Sequence, residues 1–528
     1  MVSRIKIFGL IIILNISVLG IIIIYPFFAP SPENIAFPYS IEGGSILKYD
    51  PEGHYSIIWN QGFNLSLSSN SSNYFKPRIF TVFILNMQTQ NLTIQGLITE
   101  DYYQILNKTS LKIQLYSNPT LDRRIILFNQ INEDNLTFAV IGDTQGFTGF
   151  YEQLIANTST KNYAFILHLG DITPFGEDSQ LELFQNISKQ SYIPIFSVPG
   201  NHDIKQGNST NEYKKYFGKP NYHFFYGGIL FIALDSSYLS FSETTLIYLE
   251  NLLSTYPNCP KVIFSHVPLF DPRPDYDHSN LNVSQTNRFF DIMNSHNVKI
   301  VISGHIHWYN VTKKETVNFL ISGGGGAVLH ELDENGGFHH ITKINISLDG
   351  NNINFDPIVL TKQLTTTDIL ILKDNRSVII GLNDILTEFN SINGMSSFQN
   401  QYFNWRGYGY YKGIKIGDLL SIIGGMREDE LLEVEAWDTL KQNYSYSVIF
   451  PNQSWLTIQG EVILAYQYNE TLYPEWSDGY RIVFLAPDEG YSNFDCEQTS
   501  PPDEGYHLWP SAGFRWVKFI KSLKILRR

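Results

Sequence analysis

Five short apolar runs in the middle of the chain each stop on a polar turn that delivers an acid, an amide or an imidazole. Residues 138–141 stop at Gly142-Asp143-Thr144-Gln145, and residues 165–169 at Gly170-Asp171. Residues 193–198 stop at Pro199-Gly200-Asn201-His202-Asp203. Residues 262–264 stop at Ser265-His266, and residues 300–302 at Ser303-Gly304-His305-Ile306-His307. Glycine in these turns lets the backbone fold back tightly beneath the polar side chains. A sixth apolar run covers 230–234, and stretches with helical character (243–253 and 285–295) lie between the runs. Strand, loop and helix in alternation predict an α/β domain. In such sheets functional groups gather at the carboxyl ends of the strands, where these five turns lie. A single Gly-Asp turn or strand-end histidine is ordinary; five in order, in one structural context, are not.

Carboxylates and imidazoles together suit manganese, iron, zinc or similar ions. Two such ions ~3.5–4 Å apart can clamp a phosphate and generate a hydroxide nucleophile. The ordered set resembles the calcineurin-like metallophosphoesterase family, which includes the purple acid phosphatases, over residues 136–350. Phe231-Ile232-Ala233-Leu234-Asp235-Ser236 and Ser265-His266-Val267-Pro268 look like the family too. The resemblance implies a four-layer sandwich, two metal ions (Mn, Fe or Zn), and a phosphate mono- or diester as substrate. It implies attack on phosphorus by water activated on the metals, with no covalent intermediate. On the matching positions, Asp143 and His307 would hold the first metal, Asp171 would bridge, and Asn201, His266 and His305 would hold the second. His202 would face the substrate, protonating the leaving alkoxide or stabilising the phosphoryl oxygens. Asp203 would orient that histidine.

One position departs from the pattern. Where the family commonly has Asp-x-His, this chain has Asp143-Thr144-Gln145. An amide oxygen ligates metal more weakly than imidazole. Either Gln145 is a ligand or a holder of metal-bound water, or the first metal is weakly held and the domain binds without turnover. Among the remaining histidines, His168 lies inside an apolar run and reads as a packed core residue. His339 and His340 open a late strand. His54, His223, His278, His296, His330 and His507 have no partner at a ligand spacing. The glycines 323–326 lack the Lys-Ser/Thr ending of a phosphate-binding loop and read as a tight turn near the site.

At 528 residues the chain is too long for one ordinary domain. Residues 1–29 read as a membrane segment. Arg4 and Lys6 precede an apolar run from 7 to 28, long enough to span a bilayer, and the first acids, Glu33 and Glu42, lie beyond it. A cleaved signal peptide is the alternative, although the run is long for one and Ala29 is followed by Pro30. With an uncleaved anchor the chain is a single-pass cell-membrane protein whose bulk faces outward. Asn-x-Ser/Thr sequons scattered from Asn64 to Asn469 agree with an exported, glycosylated surface. Residues 30–135 alternate apolar runs (80–85, 92–98, 125–128) with Asn/Ser/Gly turns, and predict a β-sandwich spacer before the phosphoesterase unit, 136–360.

In the last unit, 361–528, residues 418–423 read as helix, and 431–436, 446–450 and 481–485 as strands. Tyr411-Lys412-Gly413-Ile414, Gly417-Asp418-Leu419-Leu420, Ala465-Tyr466-Gln467-Tyr468-Asn469, Gly479-Tyr480-Arg481-Ile482 and Arg515-Trp516-Val517-Lys518 look like a sulfite-oxidase-type molybdopterin-binding domain. Its active members hold molybdenum through a cysteine upstream of the Tyr-x-Gly stretch. Here that segment reads Gly394-Met395-Ser396-Ser397, so the unit is expected to serve binding or structure. The basic tail (Arg515, Lys518, Lys521, Lys524, Arg527, Arg528) reads either as a headgroup contact or as a final strand with solvated lysines.

Net charge is −14, which disfavours nucleic acid as a non-specific partner. Cys259 and Cys496 are too few for a disulfide scaffold; they either pair across units or stay as thiols. The sequence therefore predicts a membrane-anchored, outward-facing, binuclear phosphoric ester hydrolase. The alternative is a surface binding or adhesion protein with a vestigial phosphoesterase unit.

Overall fold

The computed structural model describes residues 39–49, 55–69, 78–117, 123–129, 135–204, 209–274, 277–279, 281, 283–294, 296–331 and 335–527. The apolar run 7–28, on which the expected membrane span falls, lies outside the described residues. Among the described residues no helix is long and apolar enough to cross a membrane.

Two sheets form the centre. The first has the order Ile195–Ser197, Ile166–His168, Asn135–Ile141, His340–Ser347, Ile353–Val359. Its first three strands run parallel and its last two antiparallel. The second has the order Tyr222–Tyr226, Ile229–Leu234, Lys261–Ser265, Val298–Ser303, Val317–Ser322, Tyr309–Lys314, parallel through its middle four. The central strands are mostly apolar and largely buried because both faces are covered. Phe138 and Val140 face the opposite sheet in a core shared with Phe165, Phe231 and Ile300. Ala139 and Ile141, one residue out of phase, face a helical layer carrying Phe150, Leu154, Leu181 and Phe184. On the far side Leu230, Ile232 and Ile263 pack under Leu246, Leu249, Phe289 and Met293, from the helices Glu243–Thr255 and Val283–Asn294. The result is helix, sheet, sheet, helix: an α/β domain of four layers.

The N-terminal residues build two more sheets, Tyr39–Glu42/Asn64–Ser69/Arg124–Asn129/Leu92–Gln95 and Gly44–Tyr49/Tyr55–Asn60/Arg78–Leu85/Ser110–Ser117/Tyr102–Asn107. They enclose a core that includes Ile58, Leu67, Val82 and Ile113. This unit covers one margin of the first central sheet. The Asn86 amide donates to Ile195 O (2.7 Å) and accepts from Ile195 N (2.6 Å), pairing the backbone of an edge strand. Phe63 reaches into the core between the two central sheets.

The C-terminal residues form two sheets as well: Arg376–Ile380/Ile369–Lys373/Ile520–Arg527/Glu430–Ala436/Lys441–Ser445, and Ile392–Gln399/Trp405–Lys415/Glu461–Tyr468/Thr471–Leu472, with Arg481–Leu485 also on Glu461–Tyr468. Three sequence expectations resolve here. Residues 446–450 are not a strand: Tyr446–Ile449 is a helical turn. Phe450 N donates to Tyr446 O, and the two rings stack 4.6 Å apart, an i,i+4 contact that a strand cannot make. Of the basic tail, Lys521, Lys524 and Arg527 lie on the strand Ile520–Arg527, with Leu523 and Ile525 buried in the core and Lys521 on Glu435, whereas Arg515 precedes the strand and is buried on Glu504. Ser396 is buried and donates to Phe484 O at 2.6 Å. Both cysteines are free thiols.

Candidate metal centre

The polar turns converge at the carboxyl ends of the central strands. The turns are stitched together by their backbones: Asp143 N donates to Gly170 O, Gln145 N to Asp171 O, and Gly304 N to His266 O. Asp143, Gln145, Asp171 and His305 have φ of +60°, +41°, +49° and +67°. Non-glycine residues seldom take that region, and such strain concentrates at functional sites. The glycines beside them are required by proximity. A Cβ on Gly200 would lie 2.1 Å from Asp171 Oδ1, and one on Gly304 2.4 Å from Asp143 Oδ2.

Two sets of three ligand atoms result, and they share one carboxylate. Asp171, His266 and His305 form one; Asp143, Asp171 and His307 form the other; within each, the atoms lie within 4.8 Å of one another. His266 Nε2 is 3.3 Å from Asp171 Oδ1 and 3.0 Å from Asn201 Oδ1, which brings Asn201 to the first set. His307 Nε2 is 3.6 Å from Asp143 Oδ1. Each imidazole is aimed by its other nitrogen at a backbone carbonyl: His266 Nδ1 at Leu169 O (2.8 Å), His305 Nε2 at His278 O (3.0 Å), and His307 Nδ1 at Val328 O (2.5 Å). A metal-ligating histidine is normally oriented in this way.

Burial and the mutual charges of these groups set their protonation. Burial raises the Asp143 carboxyl well above its usual range, and Asp171 adds to the shift. Burial opposes the charge of Asp171 too, yet the neighbouring His266 and His202 hold it strongly ionised. Burial works against a charged His266, but Asp171 and Asp143 raise it to about 9. Burial leaves His307 neutral, lowered to about 3, and keeps His305 neutral as well. Among the described residues no lysine or arginine pairs with Asp143 or Asp171.

Gln145 belongs to the second set. Its Nε2 lies 3.4 Å from Asp171 Oδ2 and 3.4 Å from His307 Nε2, while its buried Oε1 has no hydrogen-bond partner. A buried amide oxygen left unpaired is costly. Turning the amide over would place that oxygen among the carboxylate and imidazole atoms, favourable only with a cation between them. The orphaned oxygen, the oxygen and nitrogen donors, and the paired carboxylates fit divalent ions.

His202 stands at the edge of the cluster, half-buried, its Nε2 4.0 Å from Asp171 Oδ2 and its backbone N–H on Asp171 Oδ1 (2.9 Å). The expectation that Asp203 orients it is corrected. The His202 ring is held by Pro174 O at 3.0 Å. The fully buried Asp203 carboxylate instead accepts the backbone N–H groups of Ile172, Thr173 and Gly200, fixing the loop beneath. His168 is a core residue packed edge-on to Tyr151 and Phe184, as expected.

Sequence spacing missed two histidines. His278 stacks on His305 (4.8 Å between centroids) and His330 on His307 (4.2 Å); the two also meet each other at 4.9 Å. They extend the imidazole cluster towards a cleft of about 600 Å³. The Gly323–Gly326 turn, sitting against Asp143 and His340, was the one local signal near His330.

Residues 136–309 match the calcineurin-like phosphoesterase family. A probable glycerophosphodiester phosphodiesterase of Arcobacter nitrofigilis, GpdQ, is 28% identical over 159 residues, 28% of this chain and 58% of that protein. The human serine/threonine-protein phosphatase CPPED1 is 31% identical over 132 residues, 22% of this chain and 42% of that protein. The chain thus spans about half the length of these curated relatives. The structure of purple acid phosphatase PPD1 from yellow lupin aligns with 61% of this chain and 73% of its own, at 13% identity and a TM-score of 0.39. The central unit carries a calcineurin-like metallophosphoesterase domain, a family that uses divalent metal ions and includes both phosphodiesterases and phosphatases.

Proposed function

We propose that this chain hydrolyses phosphate esters at a two-metal centre, with Asp143, Gln145, Asp171 and His307 holding one ion and Asp171, Asn201, His266 and His305 the other. The observation that carries the reading is the sharing of Asp171 between two buried ligand sets. When bound, such a pair supplies Lewis acidity at the phosphoryl oxygens and a water nucleophile at neutral pH. The chain's own residues do the rest. The His202 backbone N–H fixes one oxygen of Asp171, so that the carboxylate presents both oxygens in a set plane. The His202 ring, its Nδ1–H on Pro174 O, turns Nε2 to the open side of the cluster. Burial disfavours its charge, but Asp171 raises it above an ordinary histidine. A protonated Nε2 there can donate to the departing alkoxide.

Hydrolysis of a panel of mono- and diesters by the full chain, with Mn, Fe, Zn or Co added, tests the reading. Metal-dependent turnover that Asp171→Asn removes is expected; no turnover with any metal, or full turnover by Asp171→Asn, contradicts it. The apolar run 7–28 with its basic flank supports a second part of the proposal, a membrane anchor with the phosphoesterase outside the cell. Protease added to intact cells should then digest the phosphoesterase unit; full protection sinks this part alone.

A further inference from the structure

The C-terminal unit does not hang beside the metal centre; it is built into its mouth. Lys362 donates to Gly326 O, pairs with the buried Asp384 at 3.2 Å and lies over the Phe147 ring. Val328, whose carbonyl aims His307, belongs to the C-terminal unit's own hydrophobic core. Gly146, one residue past Gln145, abuts Asn383: a Cβ there would be 2.9 Å from its side-chain nitrogen. These contacts fix the helix Leu382–Glu388 over the cluster.

Its last turn stands between two clefts. One, of about 470 Å³, is lined by Pro174, Asn201 and His202 on one side and Leu386 and Thr387 on the other. The second, of about 600 Å³, is lined by Arg273, His278 and His330, facing Glu388, Asp418 and Ser421. Both open onto the metal ligands, one through Asn201 and the other through the rings stacked on His305 and His307. A monoester has one arm to offer these two spaces, whereas a diester, with substituents on two sides of phosphorus, has two. The wall of the second cleft is acidic in effect, because it carries Glu388 and Asp418 while the Arg273 guanidinium is held by Asp271 and Glu331. Glu388 lines the second cleft at this junction; burial raises its carboxyl to about 7, with His202 opposing the shift, so it is ionised at pH 8.

We propose that the C-terminal unit is a fixed second wall of the active-site cleft. In this reading Glu388 makes the cleft selective for phosphodiesters with a hydroxyl- or ammonium-bearing arm over phosphomonoesters. A carboxylate there accepts from the arm and repels the second negative charge of a monoester. The inference rests on reading the cluster as the phosphoryl site, and Glu388 acts as a specificity-determining residue.

The test uses the full chain loaded with manganese, at pH 8, and Glu388→Gln. Calorimetry measures the affinity for inorganic phosphate, and kcat/KM is compared for glycerophosphoethanolamine and phosphoethanolamine. Wild type should favour the diester. Glu388→Gln should bind phosphate about tenfold tighter and lose about tenfold in diester-to-monoester ratio, as expected for removing one charge at about 10 Å in a partly solvated cleft. Asp418→Asn should move both readouts the same way, about threefold, and stands in if Glu388→Gln does not fold. Neither change is expected of a residue that only supports the fold. Unchanged phosphate affinity together with an unchanged ratio overturns the inference, as does a wild type indifferent to the second ester arm. A chain that hydrolyses nothing, yet binds phosphate tenfold tighter after the substitution, would keep this inference and refute hydrolysis.

Discussion

On the side of His266 and His305 the cluster is furnished with two imidazoles, the Asn201 amide oxygen 3.0 Å from one of them, and the shared Asp171. On the side of His307 there is one imidazole, Asp143, the same Asp171, and a glutamine whose amide oxygen has no partner. The two sides also carry opposite charge habits: His266 is raised to about 9 by its carboxylate neighbours despite burial, and His307 is lowered to about 3 by burial. The first side sets a charged imidazole against Asp171, while the second sets a neutral one beside its carboxylates. Turns of one kind, on strands of one sheet system, thus make one half that holds itself together and one half that depends on its ion.

Asp171→Asn should erase the difference by disabling both halves. Changing a residue that merely orients a metal ligand costs about 10–100-fold, so loss of the shared ligand should exceed 100-fold in kcat/KM and lower metal content on both sides. An effect confined to one ion would show that Asp171 does not bridge.

The charge habits predict a pH signature in the metal-free chain. The folded pKa of His266 lies above its unfolded value, so its contribution is complete below pH ~6.5 and is lost as pH rises through about 9. His307 has the opposite sign: its folded pKa is depressed, and stability falls as pH drops below ~6.5. Thermal unfolding of the metal-free protein should therefore peak near pH 6.5 and decline on both sides. Metal should flatten the alkaline limb, because a ligating His266 must give up its proton. An alkaline limb unaffected by metal would place His266 outside the site.

Gln145 sharpens the comparison most finely. Gln145→His should tighten the ion on the His307 side by about tenfold, imidazole being the stronger donor. Gln145→Leu should weaken it by a similar factor, since it removes both the unpartnered amide oxygen and the amide nitrogen that reaches Asp171 and His307. Titration of metal into each variant, followed by calorimetry, reads both. No change in either would remove Gln145 from the centre.

Much of this was legible in the sequence for a local reason. A strand buried on both faces is a continuous apolar run, and its end is marked by the turn that carries the ligand. The runs at 138–141, 230–234 and 261–264 accordingly coincide with strands, and Asp143, Asp171, Asn201, His266, His305 and His307 come together. What the sequence concealed is non-local. His278 and His330 join the cluster only by ring stacking between distant loops. The partner of the His202 ring is a backbone carbonyl, Pro174 O, which no side-chain pattern announces. Residues 446–450, rich in aromatic and β-branched side chains, read as a strand by propensity. The helical turn is set instead by the Tyr446–Phe450 stack and by Ser445 N donating to Glu504, 59 residues on. Glu388 reaches the cleft from another unit altogether.

The central claim is that one carboxylate joins two metal ions, and manganese tests it most directly. Loaded with manganese and freed of excess, the full chain should retain two ions by elemental analysis. Its electron paramagnetic resonance spectrum should be that of a spin-coupled pair, and the coupling should vanish in Asp171→Asn. One ion per chain, or two that do not feel each other, would contradict the account.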